Sequence, residues 1–382
     1  MITVPLTSDL IRGVAELEPT ERGLALHRLP AWVRHQLPDP QLMAMEAQPA
    51  GVRVAFRTAA TRVELVTHAS RVVYVGAERP RGRVDAYVDG VPVASDELTG
   101  GDRLEIDMTT GAATPHAGED HTTVLTGLVG GDPLVELWLP HNEAVTLVAL
   151  RADAPVTPDT TVRPRWIHYG SSISQGSAAV RPGETWTSIA ARAAGADLRN
   201  LGFGGSAMLD QCVARVMRDT PAEAISLEIG INLVNLDAMH LRILGPAVHG
   251  FLDTLRDGHP NTPILVVSPL LCPIHESTPG PGAFDPATIG SDQIRFMATG
   301  DPADAARGRL TLETIRDALR TVVAARSDDP RLHLLEGTAL FGEADEAADP
   351  LPDALHPSAA AHRLIGGRFA ELAFGPGGAF GG

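Results

Sequence analysis

Five short apolar runs, each followed by a helical pattern, constrain this chain more than any other feature. Arg165–Tyr169, Leu198–Leu201, Ile225–Ile229, Ile264–Ser268 and Leu332–Leu335 read as strands. Amphipathic spacing over Thr185–Ala194, Leu209–Arg218, Leu241–Arg256 and Leu310–Ala325 falls between them, and a last helix is expected over Ser358–Leu372. Alternation of this kind needs crossover connections, so the strands run parallel and helices cover both faces of the sheet. Ligands of such sheets bind beyond the carboxyl ends of the strands, which directs attention to the loop after each one.

Upstream the rhythm differs. From Val52 to about Leu150, short alternating or β-branched runs recur between turn residues: Val52–Phe56, Val72–Val75, Val84–Val88, Leu104–Met108, Leu134–Leu139 and Val145–Leu150, with Asp89-Gly90 as a hairpin signal. This spacing predicts an antiparallel sandwich or jelly roll. Residues 1–48 are expected to add an edge strand and a helical turn near Ala31–Gln36. Pro155, Pro158 and Pro164 mark a connector, so the boundary is placed at residue 160: a β-domain over 1–160 and an α/β domain over 161–376. A chain of 382 residues is long enough for two cores. Cys272–Arg309 is Pro/Gly-rich and reads as a long loop, a length that usually signals a lid or an insertion. The glycine-rich end, Gly375–Gly382, predicts a mobile tail.

Charge and composition exclude several functions. A formal net charge of −16 with no basic cluster repels phosphate backbones, so no nucleic-acid partner is expected. Every basic residue is Arg or His. The absence of Lys excludes Schiff-base and Walker-type phosphate chemistry. Cys212 and Cys272 stand alone and read as reduced thiols, and no ligand cluster argues for a metal. No apolar stretch approaches the ~20 residues of a membrane span. Met1–Gly13 lacks the pattern of a secretory leader, so a cytoplasmic location is expected.

The chemistry-bearing residues fall at strand ends. Gly170-Ser171-Ser172-Ile173-Ser174-Gln175-Gly176 leaves the first strand, Asn200-Leu201-Gly202-Phe203-Gly204-Gly205-Ser206 the second and Gly230-Ile231-Asn232 the third. Asp353-Ala354-Leu355-His356-Pro357 follows the fifth. A glycine N–H and an asparagine amide are donors that hold a developing oxyanion, and an imidazole three residues from a carboxylate is oriented as a general base. Taken singly, each has a plainer reading: a Gly/Ser-rich strand exit, a Gly-x-Asn turn, an Asp-x-x-His helix cap. Their ordered recurrence at one end of one sheet favours a site. Gly202-x-Gly204-x-x-Ala207 also matches a dinucleotide-binding pattern, but it follows the second strand of the domain rather than the first.

These blocks resemble those of the SGNH/GDSL hydrolases over roughly residues 165–373. The resemblance implies a flavodoxin-like three-layer α/β sandwich with a five-stranded parallel sheet. It implies Ser172 as nucleophile, His356 as base and Asp353 as its orienter. The oxyanion donors would be the Ser172 and Gly205 N–H groups and the Asn232 amide. Ser171 stands where that family usually has Asp, and Leu233 follows Asn232 where Asp is common, so the hydrogen bonds around the nucleophile must differ.

The two-domain layout is similar to members with a β-sandwich ahead of the SGNH domain, among them carbohydrate esterases and acyltransferases that tailor tetracycline-type polyketides. The resemblance implies transfer of an (aryl)acyl group from an acyl-CoA co-substrate, with no bound cofactor, to a small-molecule hydroxyl. Two alternatives remain at this stage: a carbohydrate O-acetyl esterase, and a glycan-binding protein with a vestigial site. On the Cys272–Arg309 segment, His275, Glu276, Gln293 and Arg295 are candidate substrate contacts.

Overall fold

A computed structural model describes residues 1–76, 80–107, 109–128, 131–291 and 293–381. The chain divides into two compact units: Met1–Ala31 with Glu46–Val162 and Val180–Gly183, and Trp32–Met45 with Arg163–Ala179 and Glu184–Gly382. Residues 32–45, expected inside the first domain, cluster with the second instead. They form the helices Ala31–Gln36 and Pro40–Glu46, and the Trp32 ring lies 4.7 Å from the Arg215 guanidinium. Cation–π contact with a residue so far along the chain leaves no trace in local periodicity.

The first unit holds an eight-stranded and a six-stranded sheet. Pairing is antiparallel except between Arg62–Tyr74 and Asp102–Ile106, which run parallel. His121–Thr126 alternates buried and exposed along its whole length, as a strand with one wet face must. Val54, Phe56, Leu65, Val135, Leu137, Leu147 and Leu150 belong to one apolar cluster and are almost wholly buried. Asp89 and Gly90 both take positive φ, 48° and 79°, the mirror-image turn whose twist matches the strands Arg83–Val88 and Val91–Glu97. Of the expected strand at Leu104–Met108, Met108 lies outside the described residues.

In the second unit five parallel strands stand in the order Asp197–Gly202, Arg165–Gly170, Ala224–Glu228, Ile264–Val267, Leu332–Leu335. In chain order this is 2-1-3-4-5, the flavodoxin-like arrangement, whose switch point lies between the first and third strands. Trp166 and Tyr169, three residues apart on the first strand, point to opposite faces. Trp166 packs on Trp186 and Phe369 at 6.3 and 5.2 Å between centroids, and Tyr169 on Phe251 at 5.3 Å. Helices Trp186–Ala194 and Ala359–Phe369 therefore cover one face and Leu241–Gly258 the other. No helix among the described residues is long and apolar enough to cross a membrane.

The structure departs from two further expectations. The tail is anchored as far as Gly381: the Phe380 ring sits 5.0 Å from Phe374, and Phe380 N–H donates to Ala373 C=O. Apolar burial of one aromatic outweighs the flexibility of its glycine neighbours. The Cys272–Arg309 segment is structured too, with short helical segments at Pro273–His275, Pro286–Thr288 and Pro302–Arg307 and a hairpin pairing Gly282–Phe284 with Phe296–Ala298.

Candidate active site

The first strand turns sharply at Gly170 into the one-turn helix Ser172–Gln175. A Cβ at Gly170 would collide with Ser174 Oγ and the Glu228 carboxylate, so only glycine allows the turn to sit this close to the third strand. Ser171 caps the helix, its hydroxyl accepting from Ile173 N–H, and Gly176 ends it in the left-handed conformation. Ser172 thus occupies the first helical position, where its N–H has no partner within the helix.

Beyond the fifth strand, the turn before Ala359–Phe369 brings His356 to Ser172: Nε2 lies 2.9 Å from Ser172 Oγ. Nδ1 lies 2.7 Å from Asp353 Oδ2, and Asp353 Oδ1 accepts the backbone N–H groups of His356 and Leu355 at 2.7 and 2.9 Å. Ala354 between them takes φ +66°, a strained conformation for alanine. Burial raises the Asp353 carboxyl, but the hydrogen bond and charge of His356 and the two N–H groups outweigh it, so the group stays below its ordinary range. A carboxylate only accepts; Nδ1 therefore carries the proton and Nε2 presents its lone pair to the serine hydroxyl.

A second set of groups faces outward from the same end. Gly204 N–H is taken by Gln175 Oε1 at 2.8 Å, whereas Gly205, at φ +68°, carries the next N–H. Asn232 is turned by its own carbonyl, which accepts Ala207 N–H at 3.1 Å and leaves the NH2 group to point elsewhere. Among the described residues, the N–H groups of Ser172 and Gly205 and the Asn232 NH2 have no hydrogen-bond acceptor. Donors of these three kinds can receive the charge of a tetrahedral oxyanion.

Beneath the turn lies a buried chain of polar groups that sequence reading missed. Trp166 Nε1 donates to Ser226 Oγ at 2.8 Å, and Ser226 Oγ lies 2.7 Å from His168 Nδ1. His168 Nε2 lies 2.7 Å from Ser174 Oγ, which donates to Glu228 Oε2 at 3.2 Å. Glu228 also accepts Ser171 N–H at 3.0 Å. Burial pushes His168 down to about 3, so it is neutral, and the whole chain donates in one direction toward the carboxylate. Where the family commonly has Asp before the nucleophile this chain has Ser171, and the carboxylate under the turn comes from Glu228 on the neighbouring strand. Nothing in the local pattern Ser226-Leu227-Glu228 distinguishes it from an ordinary strand.

Burial raises the Glu228 pKa, against the opposing hydrogen bonds from Ser171 and Ser174. Its stabilising contribution is present below the unfolded-state pKa and is lost as pH rises through the folded one. Glu228→Gln, which cannot ionise, is expected to flatten this part of the stability profile, read from urea midpoints between mildly acid and neutral pH. Parallel profiles for the two proteins would remove Glu228 as a titrating buried group. Glu228→Ala strands the Ser171 N–H and should cost about 1–3 kcal/mol.

The helix Pro40–Glu46 supplies another neighbour absent from the sequence reading. Gln41 Nε2 donates to Gly204 C=O at 2.9 Å, and its side chain lies against Gly205. It steadies the loop that carries the Gly205 donor.

Two of the four loop candidates have their side chains committed to other residues. His275 is fully buried, between Thr278 C=O and Asn235 Oδ1, and burial lowers its pKa. Glu276 pairs with Arg316 at 2.6 Å and accepts Cys272 N–H, a structural clamp. Gln293 and Arg295 are exposed, and only their backbone groups are hydrogen-bonded among the described residues. Polarity on a loop told nothing of which way each side chain turns. Cys212 and Cys272 are both free and buried.

Residues 164–271 match the GDSL-like lipase/acylhydrolase family and residues 10–148 match the SsfX3 N-terminal domain. The chain is an enzyme that joins a GDSL-like lipase/acylhydrolase domain to an SsfX3-like N-terminal domain. Over 96% of its length and 95% of the other's, it is similar to the salicylyl-acyltransferase SsfX3 from a tetracycline biosynthetic pathway, with 26% identity and a TM-score of 0.77. A candidate GDSL-like lipase of Bacteroides ovatus follows at 18% identity and TM-score 0.65, covering 94% and 93% of the two chains. A family two carbohydrate esterase from Clostridium thermocellum, solved with cellohexaose, shares the fold at 15% identity and TM-score 0.53, covering 85% and 91%. No curated protein matches the sequence.

Proposed function

We propose that this enzyme is an O-acyltransferase that carries an (aryl)acyl group from an acyl-CoA, through an ester on Ser172, to a hydroxyl of a polyketide-type small molecule. The observation that carries this reading is end-to-end similarity to a salicylyl-acyltransferase, at an identity well above that of the carbohydrate esterases. His356 Nε2 takes the Ser172 proton as Oγ bonds to the thioester carbon, and the carbonyl electron pair moves onto oxygen. The Ser172 and Gly205 N–H groups and the Asn232 amide receive that oxyanion. Collapse breaks the C–S bond, and the His356 proton leaves with the thiol. The acceptor hydroxyl then repeats the sequence in reverse, with His356 again the base. Asp353 holds the imidazole in the tautomer both steps need.

Asn232→Ala is expected to lower kcat by ~10²-fold or more while leaving KM nearly unchanged, because the lost interaction forms with the oxyanion. An unaltered kcat would take Asn232 out of the site. The transferase reading is tested by incubating the enzyme with an aryl-CoA and a hydroxylated polycyclic acceptor and weighing the products. Ester formation is expected. Free acid alone at saturating acceptor would instead favour esterase action, the second reading, which rests on the shared fold with carbohydrate esterases. A glycan-binding role with a vestigial site fits poorly with a complete triad and three unmatched donors, and covalent labelling of Ser172 by a fluorophosphonate would dispose of it. Supply of acyl-CoA accords with a cytoplasmic setting.

A further inference from the structure

The hairpin of the Cys272–Arg309 segment ends at the triad. Phe296 N–H donates to Asp353 C=O at 2.8 Å, and the Phe296 ring stands edge-on to the His356 imidazole, 5.8 Å between centroids and 78° between planes. Directly across the hairpin, Phe284 pairs with Phe296, their rings 4.9 Å apart, and Phe284 is 43% exposed. The next pair on the same face is Gly282 with Ala298, which has no polar side chain. The two rings therefore run from the His356 imidazole out to solvent.

Position says which part of the substrate they meet. In the proposed reaction the substrate carbonyl oxygen turns toward Gly205 and Asn232, whereas the imidazole meets the heteroatom that leaves and, later, the hydroxyl that arrives. The shelf beside His356 therefore flanks the departing thiol in the first step and the acceptor in the second, and not the acyl chain. We infer that Phe284 and Phe296 form the acceptor subsite and select a flat aromatic hydroxyl compound over a sugar. A sugar would bring several hydroxyls to a face that offers them no partner, while an aromatic ring stacks there with a gain beyond area alone.

This inference rests on the acyl-enzyme reading, and one experiment separates the two. The full-length enzyme is given p-nitrophenyl acetate with either 2-naphthalenemethanol or methyl β-xyloside, and ester is weighed against free acetate by mass spectrometry. Wild type is expected to favour the naphthyl ester, and Phe284→Ala to lower the ester-to-acid ratio for that acceptor by about 5–10-fold, with Phe284→Leu intermediate. The wild-type comparison needs no variant and so stands even if Phe284→Ala fails to fold. Preference for the xyloside overturns the inference, as does an unchanged ratio in Phe284→Ala while acetate is still released. If wild type neither releases acetate nor gains an acetyl group on Ser172, the acyl-enzyme reading falls and the shelf falls with it.

Discussion

Ser172→Ala is expected to lower acyl turnover by about 10⁴–10⁶-fold, to no more than the rate that donors and binding alone sustain. The side-chain oxygen removed is the one at 2.9 Å from His356 Nε2, and neither neighbouring serine can replace it. Ser171 Oγ is committed to the Ile173 N–H, and Ser174 Oγ lies in the buried chain between His168 and Glu228. The fold should be nearly indifferent, within about 1 kcal/mol, because alanine suits a first helical turn and leaves no buried donor stranded. Intact-mass measurement should show an acyl adduct on wild type and none on the variant. Retention of more than a tenth of wild-type turnover would show that the reacting hydroxyl lies elsewhere.

His356→Ala should cost a similar ~10⁴–10⁶-fold, and the double variant with Ser172→Ala little more than either alone, since hydroxyl and imidazole act as one unit. Multiplying losses in the double variant would mean that the two work independently, which the hydrogen bond between them contradicts. Asp353→Asn is expected to be milder, about 10²–10⁴-fold. An amide at that position can donate to Nδ1 and so favour the wrong tautomer, while the Leu355 and His356 N–H groups still hold the turn in place.

How much of this was legible beforehand depends on the distance over which each feature is specified. The five strands, their helices and the hairpin at Asp89-Gly90 follow from periods of two and 3.6 residues and from turn chemistry within four positions. The approach of Ser172, His356 and Asp353 follows from chain order, because a parallel sheet gathers the ends of its strands on one edge. The polar residues between strands had no such rule. His275 and Glu276 stood out by chemistry, yet one is buried against Asn235 and the other clamps Arg316.

Local pattern was thus sufficient for the alternation of elements, the two-part layout and the order in which nucleophile, donors and base occur, since each is written in residues close together or at successive strand ends. Packing assigned the rest: the carboxylate of Glu228 under the nucleophile turn, Gln41 against the Gly205 loop, Phe296 beside His356 and the anchored end at Phe380. The first three join residues brought together across many tens of positions, and the last depends on how one ring packs against Phe374; neither the hydrophobic period nor a turn signal carries that information.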